Sequence, residues 1–196
     1  MKHLFFKRVA VIGLLVVLPL LLAGNATAQS SEQNIGGSYS LTDHHGQPVS
    51  DKSFLGAFQI VTFGYTFCPD VCPVTLTTLS QIIDLLEARD IHLQAIFITL
   101  DPERDTVDQL AGYVGHFHPK IVGLTGSLAQ IQQVADAYRV VHRRIAGDDE
   151  ATYHIEHSAV HYLMDAEGQY AGHLDYDVSP ETAAGEIAAL IRAHQS

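Results

Sequence analysis

Apolar positions fall along this chain in two alternating rhythms. Residues 58–65 (FQIVTFGY) and 92–100 (HLQAIFITL) are mainly apolar and β-branched runs, which predict two buried strands. Between them, Leu76, Leu79, Ile82, Ile83 and Leu86 recur at helical spacing and predict a helix over 74–88. A second helix is expected over 107–117, ending near Pro119, and a third over 128–138 with Ile131, Val134 and Ala135 on one face. Short strands are expected at 121–124 and 140–144. Residues 39–42 and 48–49 flank an Asp43-His44-His45-Gly46 turn and predict an N-terminal hairpin. A polar break at 146–150 precedes two short strands, 160–164 and 170–174, around an Ala166-Glu167-Gly168-Gln169 turn. Pro180 opens a last helix with Ile187, Leu190 and Ile191 turned inward. This order predicts an α/β layer fold, a central mixed sheet flanked by helices.

The first 28 residues break the rhythm. Lys2, Lys7 and Arg8 precede an apolar run over 9–23, and Ala26-Thr27-Ala28 follows as a small-residue exit. That is the pattern of a secretory signal peptide. The run contains Pro19 and falls short of the roughly 20 apolar residues a spanning helix needs, so cleavage after Ala28 is expected over a retained anchor. Residues 29–37 then read as a flexible leader and 38–196 as the folded domain. All 22 acidic residues but only 8 of the 11 Lys and Arg lie after residue 28, so the mature chain carries −14 against −11 for the whole. Such a charge argues against nucleic acid and anionic membrane surfaces as partners, leaving membrane contact to an uncleaved N-terminus. It is compatible with a cationic protein face or with metal ions.

Charge and export give the two cysteines their weight. Cys68 and Cys72 are the only Cys in the chain, and export places them where unprotected thiols pair. They sit where the strand at 58–65 ends and a helix begins, with Pro69 and Pro73 suited to a helix first turn. The partial positive charge of a helix N-terminus favours thiolate, the form that binds metals and attacks disulfides. If both lay on the helix, positions i and i+4 would share a face. Zinc in structural sites and iron–sulfur clusters want four protein ligands, whereas two thiolates and one imidazole suit copper. A plain disulfide would close only a five-residue loop, worth about 2 kcal/mol. Composition and spacing leave staple, redox pair and metal clamp all open.

Three segments then resemble one family. Residues 63–73 (FGYTFCPDVCP), 99–106 (TLDPERDT) and Glu156-His157-Ser158 are similar, in order, to motifs of the Sco/SenC family, and the likeness covers roughly residues 35–194. The resemblance implies a thioredoxin-like fold and copper, Cu(I) or Cu(II), bound by Cys68, Cys72 and His157. It also implies a role in building the dinuclear copper centre of cytochrome c oxidase. The implied partners are the copper-bearing oxidase subunit and other exported copper or thiol-redox proteins. The implied compartment is the periplasm. Glu156 departs from the family's usual Asp at that position; it keeps the charge on a longer side chain, which bears on any supporting role beside His157.

The chain holds 12 His, so His157 has rivals in His154 and His161. His116 and His118 at a helix end are accounted for by the helix dipole, and His44 and His45 by a solvated turn. Asp101 and Arg104 lie beyond the end of a core strand, where functional loops of open α/β sheets gather, and are candidates for shaping the site. Asp105 or Thr106 is expected to cap the following helix. Two other functions fit the same residues. A thiol–disulfide oxidoreductase would use Cys68 as the attacking thiol and would not need His157. A peroxide-reducing enzyme would place Thr differently before its reactive Cys: Thr66 has one intervening residue rather than two.

Overall fold

The computed structural model describes residues 35–147 and 152–194. The expected signal segment, most of the leader and part of the 146–150 break lie outside them. The order of elements is β1 (Ser40–Asp43), β2 (Pro48–Ser50), a 3-10 turn (Asp51–Phe54), β3 (Phe58–Gly64), α1 (Val71–Glu87), β4 (Leu93–Thr99) and α2 (Val107–Val114). Then come β5 (Ile121–Thr125), α3 (Leu128–Ala137), β6 (His142–Ala146), β7 (Tyr153–His157), β8 (Val160–Met164), β9 (Tyr170–Asp175) and α4 (Pro180–His194).

Seven strands form one mixed sheet in the order β2-β1-β5-β4-β3-β8-β9. The central strands β3, β4 and β5 are parallel, and the hairpins β1–β2 and β8–β9 join antiparallel on either side. Strands buried on both faces read as continuous apolar runs, as β3 and β4 do. On one face Ile60, Ala95, Phe97, Leu163 and Leu174 pack against Leu76, Leu79 and Ile83 of α1 and Ala184 and Ile187 of α4. On the other, Val61, Phe63, Ile96, Ile98 and Tyr162 meet Ile131, Val134 and Ala135 of α3. The layering is the thioredoxin-like arrangement expected, with the N-terminal hairpin as an extension of the sheet. No helix among the described residues is long and apolar enough to cross a membrane.

The structure departs from the sequence reading in three places. Helix α1 starts at Val71, so Cys72 stands in its first turn but Cys68 precedes its N-cap, Asp70. The two thiols therefore do not share a helix face. The cap of α2 is one of the two residues expected: Thr106, whose side chain accepts from Gln109 N–H at 3.3 Å. His44 is not free in solvent: its Nδ1 accepts from Gly123 N–H at 3.1 Å, which pins the turn to β5. Finally, β7 forms a separate two-stranded ladder with β6 that the sequence reading missed.

Candidate functional site

Strand β3 ends at Gly64, and the chain turns at once. The N–H of Cys68 donates to the Tyr65 carbonyl at 3.3 Å, folding the thiol back over the strand end. Gly64 is required by what lies above it: a Cβ there would stand 2.8 Å from Cys72 Sγ and 2.8 Å from Phe97. Cys72 is thus set directly on the end of the central strand, 2 % exposed, while Cys68 is partly open to solvent. Both are free thiols.

Their environments pull their acidities apart. Burial raises the Cys68 thiol, but the N–H groups of Asp70, Cys72 and Val71 and the Cys72 thiol donate to its sulfur, and the net shift is downward. Burial pushes Cys72 well up, reinforced by the neighbouring Cys68 charge and opposed by the N–H of Tyr65. One sulfur is partly accessible, its pKa lowered by N–H groups at a helix start; the other is a buried thiol whose pKa is raised.

Tyr65 connects this pair to β7. Its hydroxyl accepts from Ile155 N–H at 3.3 Å and reaches the Cys68 sulfur. Its ring meets the His157 ring edge-on at 6.4 Å between centroids. His157 closes β7. Its Nδ1 lies 3.0 Å from the Ser158 carbonyl, which can only accept, so the proton sits on Nδ1 and Nε2 keeps its lone pair. Burial lowers its pKa, opposed by the Ser158 hydrogen bond and assisted by His142, so the ring is neutral and ready to ligate. Two sulfurs and one neutral imidazole are a donor set suited to a soft ion. Among the described residues, no three His, Cys, Asp or Glu side chains are gathered closely enough to hold one ion.

The loop after β4 braces both halves. Asp105, fully buried, accepts from Thr66 N–H at 2.9 Å, from the Thr66 hydroxyl at 2.7 Å and from the Thr99 hydroxyl at 2.6 Å. It ties the cysteine loop to the end of β4. Asp101, 3 % exposed, pairs with Arg104 and accepts from the Tyr153 hydroxyl at 2.8 Å. The Arg104 guanidinium lies 3.6 Å from the Tyr153 ring centroid and 4.8 Å from that of Phe67, the residue before Cys68. Arg144 covers Tyr153 as well, at 3.4 Å. Asp101 and Arg104 therefore stand between the cysteine loop and the β6–β7 hairpin.

The other candidates lie elsewhere. Glu156 is exposed and pairs with Arg143 across the hairpin, on the strand face opposite His157. His154 is exposed on that same face. His161 is completely buried in β8, with neither ring nitrogen partnered. His118 faces Asp84 at 3.6 Å, beside α1. Sequence reasoning gave Tyr65 and His142 no role and Asp105 only that of a helix cap. Only Tyr65 carried a signal, its place inside the cysteine motif.

Comparison with known proteins places this geometry. Residues 27–192 match the SCO1/SenC family model. The chain is 39 % identical over 161 residues to the SCO2-like protein of Rickettsia conorii, covering 82 % of this chain and 78 % of that one. It is 41 % identical over 162 residues to the mitochondrial SCO1 homolog of Homo sapiens, covering 82 % of this chain and 52 % of the human one. Among solved structures, that of Arabidopsis thaliana ScoI with copper bound matches with a TM-score of 0.77 at 38 % identity, covering 81 % of this chain and 99 % of that one. The chain belongs to the SCO1/SenC family.

Proposed function

We propose that this protein is an exported copper carrier that binds copper through Cys68, Cys72 and His157 and passes it to the copper-bearing subunit of cytochrome c oxidase. The observation that carries the reading is the junction at Tyr65. Its hydroxyl reaches the Cys68 sulfur, its N–H reaches the Cys72 sulfur and its ring meets His157, so one residue touches all three donors. The similar Arabidopsis protein holds copper, and that likeness supports the assignment. Because the donors are not gathered into one cluster, loading draws the β6–β7 hairpin and the cysteine loop together. The expected export segment supports placing this work on the periplasmic side of a membrane. Metal analysis and optical spectra of the reduced protein with copper test this: Cys68→Ser, Cys72→Ser and His157→Ala should each abolish tight binding. Unchanged binding in His157→Ala would remove that residue from the ligand set.

A second reading rests on the asymmetry of the thiols. A partly exposed Cys68 with a lowered pKa beside a buried Cys72 with a raised one is the arrangement of an attacking and a resolving thiol. Such an oxidoreductase would keep the copper-ligand cysteines of the oxidase reduced. In that case His157→Ala would retain biological activity while Cys68→Ser lost it.

A further inference from the structure

The β6–β7 ladder pairs His142 with His157 directly across the two strands. Residues opposite each other on an antiparallel pair share a face, with Cβ atoms about 5 Å apart. The neighbouring bonds hold this register: Ser158 N–H donates to the Val141 carbonyl at 2.9 Å, and Val141 N–H to the Ser158 hydroxyl at 3.3 Å. On the opposite face, Arg143 and Glu156 pair in the adjacent register position. The His142 ring is only partly buried and makes no hydrogen bond or ion pair within the described residues. It is a second imidazole beside His157, on the face that looks toward Tyr65, and the mechanism so far gives it no task.

We propose that His142 is a second imidazole ligand, which joins Cys68, Cys72 and His157 when the bound ion is Cu(II). The inference rests on the copper reading above. Its chemical basis is the difference between the two ions. Cu(I) is satisfied by a few soft donors, whereas Cu(II) prefers a four-coordinate, tetragonal set that includes nitrogen. A two-sulfur, two-nitrogen set makes this site favour the oxidised ion more than a one-imidazole site would. The ladder fixes both rings on one short element, so recruiting His157 carries His142 along with it.

Pulsed electron paramagnetic resonance of the protein loaded anaerobically with Cu(II) tests the proposal. The wild type should show two equatorial imidazoles, and His142→Ala and His142→Tyr one each. Competition titrations should show Cu(II) bound on the order of tenfold more weakly by both variants. Cu(I) affinity should be unchanged. His154→Ala, on the other face of the hairpin, should behave as wild type. A single imidazole in a wild-type site that still shows sulfur-to-copper charge transfer would overturn this inference and leave the copper reading standing. Two imidazoles persisting in both His142 variants would overturn it too. Absence of any sulfur-to-copper band in the wild type would overturn both.

Discussion

Two residues four positions apart have opposite chemistry here because of where the helix starts. Cys68 lies before the N-cap of α1, so its sulfur collects the first free N–H groups; Cys72, one turn on, is sealed against the end of β3. Alkylation should therefore distinguish them. Below the ordinary thiol range, Cys68 should react with iodoacetamide as a partial thiolate, its rate rising with pH and levelling early. Cys72 should stay unmodified in the native protein; equal labelling at pH 7, read by mass spectrometry, would contradict this. Gly64 sets the seat of Cys72. Gly64→Ala drives a methyl into Cys72 Sγ and Phe97, and should cost roughly 1–3 kcal/mol in urea unfolding. The cysteine motif announced itself in the sequence because its spacing and prolines are local. The role of Asp105 did not, because its partners Thr66 and Thr99 are brought to it by the parallel pairing of β3 and β4.

At the scale of elements, the strong periodic segments were legible and the weak ones were not. Strands β3 and β4 carry long apolar runs because both their faces are core, and helix α1 carries a clear apolar stripe because one of its faces is. The β6–β7 hairpin buries only Ile155 among its ten residues, so the short alternation of β7 does not stand out as a strand, and the His142–His157 pairing could not be foreseen. That hairpin depends on polar and aromatic braces from the β3 and β4 loops. Removing Asp105 as Asp105→Ala leaves two hydroxyls and an N–H without their charged acceptor. Roughly 3 kcal/mol should be lost, and hydrogen exchange should rise in residues 65–68. Strand β8 stores a different cost. His161 lies opposite Thr62 and Leu174, fully buried and unpartnered, and burial lowers its pKa to about 4 from 6.5. The folded state holds it neutral while the unfolded chain protonates it, so stability should fall as pH drops from 6.5 towards 4. The loss should approach roughly 3 kcal/mol below that window. His161→Phe should flatten this dependence, which unfolding measured across pH 4–7 would reveal.

The whole molecule places its chemistry at the carboxyl ends of adjacent parallel strands, β3 supplying the thiols and β4 the Asp101–Arg104–Asp105 brace. This is the edge of an open α/β sheet where ligands gather. Apolar patterning made the layers legible, but it could not have said that a separate two-stranded ladder would bring an imidazole to that edge. The surface is acidic as a whole, yet Arg104, Arg143 and Arg144 stand around the hairpin, each matched by an acid: Asp101, Glu156 and Glu103. The central claim is that His157 completes a site begun by Cys68 and Cys72. X-ray absorption of the Cu(I)-loaded protein measures this most directly. The account predicts two sulfur scatterers and one imidazole in the wild type and loss of the imidazole in His157→Ala; the same sulfur and imidazole shells in both proteins would contradict it.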